Sequence, residues 1–563
     1  MSAVPANIAA QINPVVTNSQ AINSLAVSAS RLGRVIAVSG AKVVGLLERD
    51  GTTTRGPHIG ELIKIVTDDS TVFGFVTGIS IDNPAQRDQE LRRVELELVG
   101  EIDHRSGANA PFQRGVSNFP ALDDVMARAS SDDLRRVFTR PVDTTQPNAR
   151  TGARIGALHQ DHTIPAEIMP SELLGKHFAV LGTTGAGKSC AIVTILRALL
   201  GQHANAHIVI LDPHNEYAAA FKDRAEIVTP ADLELPYWLL NFEELREMVI
   251  GTGSPQPDAD AVLLNQVVTQ AKRNMVQDPE AALQVTIDTP TPYRLSDIAK
   301  IIDGILGKLD RPADMAAYHR IKERFAHMQA DRRLAFMFPG GNSSALQGMV
   351  TRDNMAKILG RLFRVPVGGK PVTVLDTSGV PAEILNVVVS LLCRMSFDFA
   401  LWSEQKAPVL LVCEEAHRYA PVDTKAGFEP TKRALSRIAK EGRKYGVSLC
   451  LISQRPSELD TTVLSQCSTI FALRMTSQKD QEFLAAALPE SSMGLMSELP
   501  SLRNGQAIAV GEGVPLPTRI DFDRLADEHQ PHSRTAPFAT AWQQDQLSAT
   551  DLTEIVKRWR HQI

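Results

Sequence analysis

The segment Gly182-Thr183-Thr184-Gly185-Ala186-Gly187-Lys188-Ser189 constrains this chain more than any other. It follows the apolar run Phe178-Ala179-Val180-Leu181 and precedes a helix-like stretch, Ala191 to Leu200. Strand, glycine-rich turn, Lys-Ser and helix in that order make a phosphate-binding loop. Glycines let successive backbone N–H groups wrap a polyphosphate without a Cβ in the way. The helix N-terminus adds partial positive charge. Lys188 can reach the β- and γ-phosphates, and Ser189 can ligate Mg²⁺. The expected nucleotide contacts are therefore Gly182, Thr183, Thr184, Gly185, Ala186, Gly187, Lys188, Ser189 and Cys190.

The rest of the chain divides into zones. With 563 residues it is too long for one ordinary core. Residues 1–30, rich in Ala, Asn, Ser and Gln, read as a flexible arm and lack the pattern of a signal peptide. Residues 31–115 carry short alternating strands (Arg34–Val38, Lys42–Leu47, Ile63–Val66, Val72–Val76, Arg93–Leu98) parted by Gly, Asp, Asn and Pro. That is the signature of a small β-barrel or sandwich. A connector, 116–175, leads to residues 176–525, where near-continuous apolar strands alternate with helices: Phe178–Leu181, Ile208–Leu211, Val372–Leu375, Val409–Val412, Ser448–Ile452 and Thr469–Leu473. Such strands predict a parallel sheet covered on both faces. The expected fold is an α/β P-loop NTPase core with a RecA-like parallel sheet, preceded by a small N-terminal β-barrel. A helical insertion, about 242–345, interrupts the core. Residues 526–563 read as a linker and an amphipathic helix, expected to pack on the protein or on a neighbour.

Further residues that carry chemistry lie at strand ends. The strand Val409–Val412 runs into Glu414-Glu415. One carboxylate, Glu414, can organise Mg²⁺, and the next, Glu415, can polarise the attacking water. Paired acids can also simply cap the following helix. Gln454, past the strand Ser448–Ile452, is placed to sense a γ-phosphate, or it belongs to an ordinary strand-end turn. The basic run Glu441-Gly442-Arg443-Lys444-Tyr445-Gly446 either offsets a helix C-terminus or offers an arginine to a neighbouring subunit's nucleotide.

Taken together, these residues resemble the HerA-type ATPases, hexameric DNA translocases of the HerA/FtsK class. The motifs are Gly182–Ser189, Leu211-Asp212-Pro213-His214-Asn215-Glu216-Tyr217, Leu235-Pro236-Tyr237-Trp238, Leu375-Asp376-Thr377-Ser378, Glu414-Glu415-Ala416-His417, Glu441–Gly446 and Ser453-Gln454-Arg455-Pro456. The resemblance runs over roughly residues 31–525, and the first strands are similar to the barrel that family places before its ATPase. It implies ATP and Mg²⁺ at Lys188 and Ser189, with Glu414 in a metal-organising place where the family usually has Asp. It implies Glu415 as catalytic base, Gln454 as sensor and Arg443 as the arginine acting in trans, with Arg437 and Arg474 in reserve. Asn215 stands where Gly is common, and Asn tolerates the same left-handed backbone.

The resemblance further implies a homohexamer with double-stranded DNA in its central channel, contacted by cations such as Lys425, Lys432 and Arg433. A net charge of −5 confines any DNA contact to a local basic surface. A second reading makes the ring a platform for an effector, either a NurA-type nuclease or a sirtuin-like NAD-consuming enzyme of antiviral defence, docked on the barrel. The chain carries no nuclease-like acidic cluster of its own. A third, weaker reading is a secretion or conjugation ATPase. The cysteines lack CxxC pairing, and four lie in or beside apolar runs, as expected for a reducing cytoplasm. No membrane span is expected, on the reading that no apolar stretch approaches about 18 residues.

Overall fold

The computed structural model describes residues 30–48, 56–82, 91–107, 110–139, 152–229, 232–233, 235–251, 254–307, 314–338, 354–378, 380–423, 427–488, 493–532, 538–543 and 548–561. Residues 1–29 of the N-terminal arm, Lys425 and the end of the predicted helical insertion lie outside these residues.

Alternating strands near the N-terminus close on themselves. They are β1 (Arg31–Ser39), β2 (Lys42–Leu47), β3 (Leu62–Val66), β4 (Ser70–Asp82), β5 (Leu91–Asp103), the short β6 (Gln113–Arg114) and β7 (Val125–Arg128). The order β2-β1-β7-β3-β4-β5, with β5 pairing back onto β2, makes a six-stranded antiparallel barrel, and β6 is added at β5. Closure leaves no free sheet edge among those six strands. Every second side chain (Val35, Val43, Ile63, Ile65, Val94, Leu96) points inward. Gly45 leaves room for Met126, which fills the interior: a Cβ there would lie 2.1 Å from Met126 Cε and the Met side chain would have to move. The closing strand β7 comes from the stretch read as connector, beyond residue 115.

The core sheet joins strands distant in sequence: β8 (Ala153–Leu158), β9 (Pro165–Ile168), β10 (His177–Leu181), β11 (His207–Asp212), β12 (Ala225–Val228), β13 (Val372–Asp376), β14 (Val409–Cys413), β15 (Val447–Ser453), β16 (Cys467–Leu473), β17 (Gln506–Gly511) and β18 (Thr518–Phe522). Their order is β12-β13-β11-β14-β15-β10-β16-β17-β18-β8-β9. From β12 to β16 every pair is parallel, and from β16 to β9 every pair is antiparallel. β10, β14 and β15 are buried along their whole length. Alternate residues of β10 feed opposite layers, Ala179 and Leu181 into one and Phe178 and Val180 into the other. The sheet is thus mixed: its parallel half is RecA-like, and its antiparallel half takes in β8 and β9 from the former connector.

The helical insertion contains helices Phe242–Val249, Pro257–Arg273, Pro279–Gln284, Leu295–Leu306 and Met315–Ala330. Arg394 ties it to the core through Glu244, at 3.1 Å. Arg394 lies on the helix Ala382–Trp402, where the expectation about apolar length fails. Its stretch Ile384–Trp402 spans 19 residues at a mean hydropathy of 1.7, long and apolar enough to cross a membrane. Here 72% of that stretch is buried inside the protein, and Arg394 and Asp398 pair within it. It is the core helix that covers the sheet.

Among the described residues nothing covers the apolar side chains of the C-terminal helix, Ala549–His561: Leu552, Ile555 and Trp559 are exposed. Cys393, Cys413, Cys450 and Cys467 are buried free thiols, and Cys190 is exposed.

Candidate nucleotide site

Parallel strands put their C-terminal ends on one edge of the sheet, where ligands bind in such folds. Leu181 of β10 pairs with Ser453 of β15, and Cys413 of β14 pairs with Leu451 of β15. Because β15 lies between β10 and β14, Gln454 stands between the phosphate loop and the paired acids.

The loop is held open from beneath. Thr183 N and Oγ1 donate to Arg474 O at 2.9 and 3.0 Å, so the reserve arginine Arg474 supports the loop through its main chain. Gly185 and Gly187 have φ of 76° and 99°, a region that suits glycine. Helix Lys188–Gln202 starts at once, with Gly187 as its cap. Lys188 is buried, and its Nζ donates to Thr183 O at 3.1 Å. Burial lowers its pKa, while Glu414, Glu415 and Glu216 act in the opposite direction.

Around Ser189 the acids gather. Ser189 Oγ donates to Glu216 Oε2, and Tyr217 Oη donates to Glu414 Oε2. Glu414 is fully buried, and burial pushes its pKa up to about 8, with Glu415 and Glu216 adding to the rise. A divalent cation suits this arrangement, because clustered carboxylates with one lysine among them lack compensating charge. Ser189, Glu414 and Glu216 are the side chains that can organise it. In the sequence Glu216 and Tyr217 stand only as part of a motif, with no role of their own. Their signal was the Asp-Pro-His-Asn-Glu-Tyr segment past β11. Asp212 folds that segment by accepting from Glu216 N at 3.0 Å and Tyr217 N at 2.9 Å. Asn215 takes the expected left-handed turn at φ 52°.

Glu415 is the strained member. Its φ of 54° is left-handed and costs about 1–2 kcal/mol for a residue with a Cβ. No side chain caps the short helix Ala416–Arg418 that follows, which removes the capping alternative for Glu415. Instead its Oε1 accepts from Gln454 Nε2, and Gln454 Oε1 accepts from Thr184 Oγ1. Its Oε2 is buried, lies 3.3 Å from His417 Nδ1, and makes no hydrogen bond among the described residues. His214 Nε2 lies 3.6 Å from Oε1 on the other side. These two histidines were also missed as neighbours of the acid.

Other candidates lie elsewhere. Helix Glu429–Tyr445 ends at Gly446, whose φ is 91°, and β15 runs back from there towards the loop. Seven strand residues separate the two edges of the sheet by about 20 Å. Arg443 therefore sits far from its own phosphate loop, lining a cavity of 660 Å³ with Lys406, His203 and Ser448. Arg437 is held within the chain, its guanidinium carbon 4.0 Å from the centre of the Phe397 ring. Lys432 is largely buried and paired with Asp460 at 3.2 Å. Arg433 pairs with Glu243 at 2.8 Å and Glu429 at 3.1 Å. Neither cation is unpaired in this conformation, which weakens both as DNA contacts.

A phosphate loop, paired acids and a polar sensor on adjoining parallel strands define a P-loop ATPase. The family model for the central domain of the helicase HerA matches residues 153–396. The DNA double-strand break repair helicase HerA of Saccharolobus solfataricus is 34% identical over 499 residues, 83% of this chain and 88% of that one. The HerA helicase of Pyrococcus furiosus is 27% identical over 462 residues, 76% of each chain. Among solved structures, VirB4 of Thermoanaerobacter pseudethanolicus is similar with a TM-score of 0.47 and 15% identity, over 70% of this chain and 99% of that one. The chain belongs to the HerA helicase family.

The buried Glu414 sets a pH dependence. Its folded pKa lies above the ordinary carboxylate value, so its protonation stabilises the metal-free protein most below about pH 4.5. That contribution is lost as pH rises towards 8. Glu414→Gln keeps an acceptor for Tyr217 and removes the titration. In thermal melts without metal it should raise the Tm at pH 8 and leave it nearly unchanged at pH 4.5.

Proposed function

We propose that this chain is the subunit of a homohexameric, ATP-hydrolysing ring that translocates on or unwinds double-stranded DNA. The observation that carries the hydrolytic reading is the chain of contacts from Thr184 through Gln454 to Glu415, ending in a buried carboxylate oxygen with no hydrogen bond among the described residues. On this reading ATP lies along residues 182–190, and Lys188 bears on its β- and γ-phosphates. Ser189, Glu414 and Glu216 organise Mg²⁺, which screens phosphate charge when bound. Glu415 takes a proton from the attacking water through Oε2. Gln454 reports the occupancy of the γ-position to both the loop and the base. Arg443 serves the neighbouring subunit, since its own phosphate loop is out of reach.

The relatives named as DNA double-strand break repair helicases support break repair as the setting. On this reading any cutting falls to a nuclease partner. A second reading, in which the ring chiefly activates an effector such as a nuclease or an NAD-consuming defence enzyme, finds support on the barrel. Ile79 and Ile81 are exposed side by side on one face of β4. The test of the main proposal is Mg²⁺-dependent ATP turnover with and without linear duplex DNA, together with the mass of the assembly. Duplex DNA should stimulate turnover by a particle six times the subunit mass. A monomer with and without ATP, indifferent to DNA, would overturn it.

A further inference from the structure

We propose that His159, His162 and Asp521 form a binding site for a divalent transition metal of the zinc class, where the antiparallel half of the core sheet meets the barrel. None of the three residues belongs to the nucleotide site described above. Pairing of β8 with β18 sets Ala157 opposite Asp521, and His159 N donates to Arg519 O at 3.0 Å just past the strand end. The turn that follows brings the second imidazole round to the same carboxylate. That turn is built, with Leu158 N donating to Ile164 O at 3.0 Å. Asp161 accepts from Thr163 N at 2.9 Å and from Ser131 Oγ at 2.7 Å.

Asp521 is aimed by its neighbours. Its Oδ1 accepts from Gln506 Nε2 at 2.6 Å, and Gln506 Oε1 accepts from Arg519 at 2.8 Å. Oδ2 is left facing the histidines, 2.9 Å from His159 Nδ1 and 3.8 Å from His162 Nδ1. The three ligand atoms all lie within 4.8 Å of one another. Ligands about 2.0–2.1 Å from a tetrahedral ion stand roughly 3.3 Å apart, so small side-chain rotations suffice. Two neutral imidazoles and one carboxylate select zinc, nickel or cobalt over magnesium or calcium, which prefer all-oxygen sites. The carboxylate held from behind by Gln506 and Arg519 is the outer support that such sites use. His162 is the outermost ligand, with its side chain 67% exposed, and leaves a coordination position open to solvent.

An ion here would fix the turn that touches the barrel. Gln160, between the two histidines, accepts from Leu62 N of β3 at 3.1 Å. Metal binding therefore stiffens the junction between the barrel and the ATPase core.

The experiment is zinc titration by calorimetry and thermal melting of the full chain after chelator treatment and desalting, in saturating Mg²⁺ and ADP. The parent chain should bind one zinc ion more than His159→Ala/His162→Ala, or bind it at least about tenfold more tightly. Zinc should raise the Tm of the parent and not that of the variant. Both histidines lie on the surface, so the metal-free melts of the two should coincide. Should the double variant fail to fold, His162→Ala alone, changed at the most exposed ligand, gives the same comparison. Equal zinc stoichiometry, affinity and Tm shift in parent and variant would overturn the proposal, as would the absence of zinc binding to the parent.

Discussion

Glu415→Gln lowers ATP turnover by about 10²–10⁴-fold, the usual effect of removing a general base. The substitution changes one atom of a buried side chain and keeps the acceptor for Gln454 Nε2. Removing a carboxylate from beside Glu414, whose pKa its neighbours raise, relieves repulsion rather than adding it. Nucleotide should therefore bind at least as well as in the parent, and the loss should fall on kcat rather than KM. Steady-state hydrolysis and binding of a fluorescent nucleotide separate the two. Turnover within a few-fold of the parent would remove Glu415 from the chemistry, and a loss confined to KM would reassign it to binding. The same variant also divides the two functional readings. A hydrolytically dead assembly that still activates an effector fully would favour the platform over the motor.

Arg443→Ala should lower turnover by about 10³–10⁵-fold, the effect expected of an arginine that neutralises charge on a transferring phosphoryl group in trans. The structure makes this demanding, because the residue lies about 20 Å along β15 from the phosphate loop of its own chain. No local argument makes it essential: Arg443 lies in the last turn of its helix, where a cation offsets the helix dipole by about 0.3–1 kcal/mol. A purely structural arginine would thus cost little stability and little activity. Arg443→Lys keeps the charge and loses the planar fork, so it should recover only part of the rate. Arg437→Ala, by contrast, removes a contact with Phe397 and should act on stability more than on turnover.

The phosphate loop, the paired acids and the strand-end glutamine were legible in the sequence because each is a local signal: an apolar run that stops at a particular polar residue. Period-two alternation in residues 31–98 likewise announced the barrel. What sequence left dark was non-local. Nothing in β15 says that it inserts between β10 and β14, yet that order is what sets Gln454 between Thr184 and Glu415. Strands β8 and β9 precede the loop in sequence and join the sheet beyond β18, more than 340 residues later, so they read as connector. The apolar stretch of Ala382–Trp402 is masked because Arg394 and Asp398 interrupt its composition, and the pairing of Arg394 with Glu244 from the insertion is a tertiary fact. Glu216 lies 27 residues from Ser189, so no local signal announces their contact. His417 stands only two residues from Glu415, but the sequence does not say that its ring turns towards that carboxylate.

The central claim is that each nucleotide site is completed by the next subunit. Mixing separately inactive Lys188→Ala and Arg443→Ala subunits, dissociated and reassembled together, tests it directly. A site regains both halves when an Arg443→Ala chain supplies the phosphate loop and a Lys188→Ala neighbour supplies the arginine. Random assembly at equal amounts should restore about a quarter of the sites in a closed ring, with measurable turnover where neither variant alone shows any. Mixed assemblies that form fully yet stay as inactive as either parent variant would contradict the shared site.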